Sequence, residues 1–568
     1  MANPQITHER VDDIPLLVYV MHQQLGYDHI LDEVIPRHGN WLGLSFGKVT
    51  IGWLTHILSE SNHFMSHVED WANDRPETLG ELLEQPIRPT DFTDDRLEEV
   101  IRILSLDSIW HQIEPQVNQR MIRVYRLPTE RIRLDPTTVS VDSHQSAALL
   151  FRRGHSKDHR PDLPQLKVML AGLDPLGALL AADVVPGNAA DDGLYVPTIE
   201  RLLQHLPPRG LLFIGDCKMS ALATRIYIHH RQHYYLTPLA KVGQVPEQLS
   251  EWIAQALSGA VRLTRLEAED GSLWGEGYEL TRPQSATLPD GRTLEWQERV
   301  LVVRSEQFAA AARHGLQQRL ERAQAALEAL TPPRGRGQRQ YTEAAPLREA
   351  VEAVLSRYRV ADWLKVTLKL QVERHTVRAY GGRPSHVKER RRYVVSVQRR
   401  EAALQAYERT LGWRAYVTNA CAEQLPLTEA VLAYCDEWLA EHNCARLKGH
   451  PLSLAPLWLT REDHAVGMVR LLSLAARVLA VVEYQVRQKL NATGRVLTGL
   501  FPGQPTRQTK RPTTERLLKA FAPTTLVIIR RGSRVERYLT PLTRLQKEVL
   551  RLLNCPASLY QQLAMGSG

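Results

Sequence analysis

Residues 210–216 read GLLFIGD. An unbroken apolar run this short, closed by a carboxylate, fits a central strand covered on both faces. The neighbouring segments set the class. RIRLDPTTVSV (131–141) alternates, with Ile132 and Leu134 on one side and Arg131, Arg133 and Asp135 on the other. LPQLKVMLAGLD (163–174) and ALLAADVVPG (178–187) read as two more strands joined by the turn DPLG. DDGLYVPTIERLLQHL (191–206) reads as a helix with Asp191 or Asp192 at its N-cap. A helix, ALATRIYIHHRQ (221–232), and a strand, HYYLTPL (233–239), follow the central run. Three strands, a helix, a buried strand, a helix and a strand predict an α/β fold built on a mixed sheet.

The chain has 568 residues, too many for one core, so two to four domains are expected. Residues 1–128 show helical periodicity and read as a helical N-terminal domain with a candidate DNA-binding role. Residues 129–242 carry the first part of the sheet. Residues 243–424 are strand-rich (GEGYELTR, WQERVLVV, LKVTLKLQV, RRYVVSVQ, WRAYVTN), interrupted by a charged helix and the linker TPPRGRGQRQ. Residues 425–465 hold one further helix of the core. Residues 466–568 read as a helical C-terminal region for DNA contact or dimerisation.

Five cysteines (Cys217, Cys421, Cys435, Cys444, Cys555) form no CxxC pair, which fits a reducing cytosol, and no zinc site is expected. MANPQITHERVDD has no basic start followed by an apolar stretch, so no secretion signal is expected. The most apolar segment, Leu471 to Val482, is too short to span a bilayer and contains Arg477. It predicts a buried core helix and no membrane partner. The formal net charge is +8, a modest excess whose distribution matters more than its sum.

In YCDEWLAEHNCARLKG (434–449), Tyr434, Glu437, Glu441 and Lys448 fall on one side of a single predicted helix starting near Thr428 and stopping at Gly449 and Pro451. Two carboxylates four residues apart repel unless they are solvated or face a cation. Asp135, leaving the polar face of a strand, and Asp216, ending the buried one, are each explained alone as turn or cap residues. With Glu441 they make a three-carboxylate set of the kind that suits Mg²⁺ or Mn²⁺, and two such ions can drive phosphodiester chemistry.

Here a resemblance becomes specific. Tyr434, Glu437 in the Arg position, Glu441 and Lys448 keep the spacing of the Y-R-E-K helix that marks a subgroup of bacterial insertion-sequence DDE transposases. LDPTTVSVD and GDCKMS resemble the blocks around that family's two aspartates. GHSKDHRPDL, VPGNAADD, LKGHPLSLAPL and GLFPGQPTRQTKRPTTERLLKAF resemble further family segments in the same order. The resemblance implies an RNase H-like core in two pieces (129–242 and 425–465), interrupted by a mostly β insertion domain (243–424). It also implies cut-and-paste transposition: cleavage at the element's ends, then attack of the freed 3′-hydroxyl on target DNA. Asp135, Asp216 and Glu441 become the catalytic and metal residues, holding two Mg²⁺ or Mn²⁺ ions. The implied partners are terminal inverted repeats, target DNA and a second copy of the chain on DNA. The implied location is the bacterial cytoplasm, at the nucleoid.

Lys448, Tyr434, Lys157, Arg160 and Lys218 are the candidate DNA contacts near the acids. Lys388, Arg390, Arg391 and Arg392 are those of the insertion, where residues 371–400 hold nine Lys or Arg against two Glu. Seven net charges in thirty residues suffice to neutralise several phosphates. The alternative function is a catalytically weak or inactive transposase-derived DNA-binding protein, which the acid at Glu437 favours and the carboxylate triad opposes.

Overall fold

The computed structural model describes residues 4–36, 39, 41–142, 149–268, 271–288, 290–335, 337, 338, 340–379, 381, 382, 384–436 and 438–565. Glu437 lies outside the described residues. The chain opens with a short strand, β1 (Gln5–Arg10), followed by helices up to Tyr125. The predicted strand series then appears as β2 (Arg131–Ser140), β3 (Gln165–Leu173), β4 (Ala178–Pro186), β5 (Leu212–Gly215) and β6 (Tyr234–Pro238). β2, β3 and β4 pair antiparallel, whereas β2, β5 and β6 pair parallel. Parallel neighbours need crossovers, and helices Tyr195–Leu202 and Leu222–His230 supply them.

The apolar run of β5 is buried on both sides, and its period of two decides where each residue goes. Phe213 joins the main core, while Leu212 and Ile214 join a second core with Tyr416, Ala430 and Val431. The polar side of β2 is not solvated as its alternation suggests. Arg133 is buried and held 2.6 Å from Asp174, so a paired charge replaces water there.

The expected separate β insertion is corrected in its extent. β7 (Thr264–Glu267), β8 (Leu273–Thr287) and β9 (Thr293–Ser305) do not make their own sheet. Beyond them come β10 (Leu364–Val377), β11 (His386–Arg399) and β12 (Trp413–Thr418). β12 pairs with β6 and β9, giving one nine-stranded sheet in the order β4-β3-β2-β5-β6-β12-β9-β8-β7. The physical reason is the edge of β6, whose unpaired backbone groups take up β12 instead of water. What stands apart is an α/β unit between β9 and β12. It comprises helices Glu306–Ala329, Ala344–Tyr358 and Glu401–Arg409 with the β10–β11 hairpin. Leu316, Leu320, Ala323 and Leu327, spaced four, three and four, form the helical stripe of its own core.

The terminal regions are not purely helical as expected. β1 pairs with β15 (Thr525–Arg531), which pairs with β16 (Arg534–Leu539), and β13 (Leu497–Thr498) and β14 (Gln508–Thr509) form a short ribbon. QITHER alternates weakly and its partner lies at the far end of the chain, so local pattern did not mark it. The predicted apolar core helix is present as Glu462–Thr493, 32 residues long. It is long and apolar enough to cross a membrane, yet its most apolar window is 94% buried inside the protein. Arg477, fully buried within it, meets Glu114 at 3.1 Å, the Ser473 hydroxyl at 2.8 Å and the Leu180 carbonyl at 3.0 Å.

Candidate active site

Parallel pairing of β2 with β5 ends with Leu134 beside Gly215. The next residue on each strand is Asp135 and Asp216. The two acids therefore leave neighbouring strands side by side, at the carboxyl end of the strand where the parallel pairing stops. Asp216 is fixed by donors: Tyr195 Oη gives a 2.7 Å bond to Oδ1 and the Lys218 backbone N–H a 2.8 Å bond to the same oxygen. The Thr237 hydroxyl donates to the Asp216 carbonyl at 2.7 Å. Asp135 has the Lys157 ammonium 3.4 Å from Oδ1 and the Cys444 thiol 3.7 Å from Oδ2.

Burial raises the Asp135 pKa from its ordinary value; the Lys157 charge opposes this and the Asp216 charge adds to it. Burial and the Asp216 charge also push the Tyr195 phenol upward, so it remains a donor. The Cys444 thiol is pushed up to about 12, chiefly by burial and then by Asp135, so it stays protonated and donates rather than acting as a soft thiolate ligand.

The single helix predicted across 428–448 is two. Leu427–Cys435 has its N-cap at Pro426 rather than Thr428, and Trp438–Lys448 follows a break at Asp436. This separates Tyr434 from the face that carries Glu441. Tyr434 is 6% exposed, with its ring 4.7 Å from that of Tyr416. Of the two roles open to it from the sequence, DNA contact or core packing, the ring takes the core position, because the break leaves it on the segment packed into the second core.

Helix Trp438–Lys448 docks on the sheet beside β2. Asn443 Nδ2 donates to the Gly177 carbonyl at 2.6 Å, and Gly177, at φ +70°, leaves open the space that Asn443 fills. Lys448 Nζ donates to Asp158 Oδ1 at 2.6 Å and to the Thr138 carbonyl at 3.3 Å. Asp158 in turn accepts from the Ser140 N–H and hydroxyl, both at 3.0 Å. Positions 441, 444 and 448, three and four apart, share one face of this helix. Glu441 thus stands one turn before the residue that touches Asp135, and it is exposed. The three carboxylates do not close on one point. Among the described residues, the group of three His, Cys, Asp or Glu side chains with ligand atoms all within 4.8 Å is His22, Asp28 and His29.

The remaining candidates divide by exposure. Lys157 and Lys448 turn inward onto Asp135 and Asp158. Arg160 is exposed and paired with Asp162 at 2.7 Å, and Lys218 is exposed beside Asp216. Lys388, Arg390 and Arg391 are exposed on β11 of the hairpin. Arg392, half-buried, donates to Gln371 at 2.9 Å and Gln340 at 3.2 Å, which makes it a brace of the unit. Trp252 and Trp296 are buried in cores. Sequence reasoning missed Asp158, although it sits inside the quoted GHSKDHRPDL, and Tyr195, three residues past Asp192 in the predicted helix.

No protein-family model matches the chain, and no curated protein does. Among solved structures it is similar to the piggyBac transposase synaptic complex with hairpin DNA, at 8% identity and a TM-score of 0.36 over 98% of this chain and 86% of that one. A likeness that distant transfers no residue's role.

Proposed function

We propose that the protein is a DDE DNA transposase that cleaves DNA at the ends of an insertion sequence and joins them to target DNA. The observation that carries this reading is the β2–β5 register, which sets Asp135 and Asp216 side by side, with the Glu441 helix docked against Asp135 through Cys444. The antiparallel trio β4-β3-β2, continued by parallel β5 and β6, supports an RNase H-like core. The donor set is hard oxygen, with the Cys444 sulfur beside Asp135 kept as a thiol, and this fits Mg²⁺ or Mn²⁺. Two ions about 4 Å apart need carboxylates spread more widely than a single-ion cluster does. When bound, such ions would supply Lewis acidity for phosphodiester hydrolysis and transesterification. Asp135, Asp216 and Glu441 would hold them.

The chain's own residues prepare that site. Tyr195 and the Lys218 N–H orient Asp216, and Lys157 holds Asp135. Asp158 positions Lys448 on the same flank. The exposed cations of β11, with Arg160 and Lys218, would meet the DNA backbone. The partners proposed are terminal inverted repeats, target DNA and a second copy of the chain, in a bacterial cytoplasm at the nucleoid.

The second reading, DNA binding without catalysis, is favoured by one observation: Glu441 is exposed and outside any compact ligand group among the described residues. Incubation with labelled terminal-repeat DNA and Mg²⁺ or Mn²⁺ separates the readings. Transposition gives cleavage and joined products, and both vanish in Asp135→Asn, Asp216→Asn and Glu441→Gln while binding persists. Cleavage without joining would indicate a nuclease. A shifted band alone, identical in all four proteins, would leave only the second reading.

A further inference from the structure

The N-terminal region gathers a second set of ligating side chains, in no contact with the acids of the sheet that the structure records. His22 lies in a single π-helical turn, Val20–Gln24, and Asp28 and His29 follow in the first turn of helix Tyr27–Val34. A π-turn inside a helical segment costs hydrogen-bond geometry and is often retained where a side chain must be aimed. Gly26, at φ +62°, reverses the chain between the two segments. The Arg120 guanidinium packs over it and donates to the Gln24 and Gln23 carbonyls, each at 2.9 Å, which locks the reversal.

The result is two imidazoles and a carboxylate whose ligand atoms all lie within 4.8 Å of one another. His22 Nδ1 is 2.6 Å from Asp28 Oδ2, and the rings of His22 and His29 are 5.1 Å apart. Asp28 is 2% exposed, and its Oδ1 is buried with no hydrogen-bond partner. A simple His22–Asp28 ion pair explains one carboxylate oxygen. It explains neither the orphaned oxygen nor the second imidazole. We propose that His22, Asp28 and His29 form a binding site for a divalent transition ion of the zinc type. Two imidazoles and one carboxylate are a borderline donor set that prefers Zn²⁺ over Mg²⁺, and three protein ligands leave a coordination position for water or an external group. The expectation of no zinc rested on cysteine spacing, which histidine and aspartate bypass. Bound there, the ion would tie the reversal at Gly26 to the helix that follows. The site is independent of the proposed transposase chemistry.

The test uses the full chain, stripped with chelator and kept reduced, titrated with ZnCl₂ by calorimetry and with CoCl₂ by visible absorption. The expected result is one high-affinity equivalent of Zn²⁺, ligand-field bands from Co²⁺, and a thermal midpoint that rises with Zn²⁺. His29→Ala, a change at an exposed side chain, should leave the zinc-free midpoint unchanged, weaken Zn²⁺ at least tenfold and abolish the Co²⁺ bands. Equal Zn²⁺ affinity in wild type and His29→Ala, or the absence of a stoichiometric equivalent in wild type, would overturn the site.

Discussion

The half of the great sheet formed by β2 to β6 and the α/β unit between β9 and β12 handle charge in opposite ways. In the first, charged groups are partnered and buried or half-buried: Arg133 with Asp174, Lys157 with Asp135, Lys448 with Asp158. In the second, Lys388, Arg390 and Arg391 stand in solvent on a two-stranded ribbon that buries little of itself. Charges of the first kind are held at fixed positions at an energetic cost in desolvation, which is what chemistry at one atom requires. Charges of the second kind stay hydrated, with Arg391 beside Glu389 at 3.3 Å, which suits contact with a repeating phosphate backbone. The molecule separates where a reaction could occur from where a polyanion could be gathered.

That contrast can be broken in four places. Asp216→Asn should lower cleavage by at least about 10³-fold while a shift assay shows unchanged end binding, since it removes a charged oxygen from the proposed ion site. Comparable cleavage by wild type and variant would place the chemistry elsewhere. Arg133→Ala leaves Asp174 buried without its partner and should cost about 3–5 kcal/mol in urea unfolding. A loss below about 1 kcal/mol would mean water reaches Asp174.

Asp13 sharpens the comparison as a buried carboxylate whose strongest neighbours are the Ser59 hydroxyl, at 2.5 Å, and the like charge of Asp12. Burial pushes it up to about 7 from its ordinary 3.8. Between those values the folded chain keeps a proton that the unfolded chain has released, so stability should fall as pH rises through that window. Unfolding of Asp13→Asn should lose that part of the slope. An unchanged slope would show that Asp13 ionises freely. Replacing Lys388, Arg390 and Arg391 together by Ala should shift stability by less than about 0.5 kcal/mol. The same change should flatten the salt dependence of DNA binding by about 2–3 in log–log slope. A large stability loss would make these cations structural.

The order of elements in 131–239 is readable from the chain because each strand there carries its own period or apolar run, and each turn its own punctuation. Both aspartates of the candidate site are readable for the same reason, Asp216 where an apolar run stops and Asp135 on the polar phase of an alternating strand. Other features depend on distant partners. β12 pairs with β6 across an intervening 174 residues, Leu239 through Gly412, and β1 finds β15 at the other end of the chain. The break at Asp436 is invisible to helical periodicity, since Tyr434, Glu441 and Lys448 keep a continuous phase in the sequence. Tyr195 and Asp158 escape for another reason: a hydroxyl or carboxylate acquires its role from what the fold sets opposite it.

The central claim is that Asp135, Asp216 and Glu441 share a pair of divalent ions at a DNA phosphate. Anomalous diffraction from a crystal of the end-DNA complex grown with Mn²⁺ tests it most directly. The account predicts two manganese peaks about 3.5–4 Å apart, one contacting both aspartates and at least one contacting Glu441. Manganese bound to the aspartates with Glu441 turned away, or found only at surface positions, would contradict it.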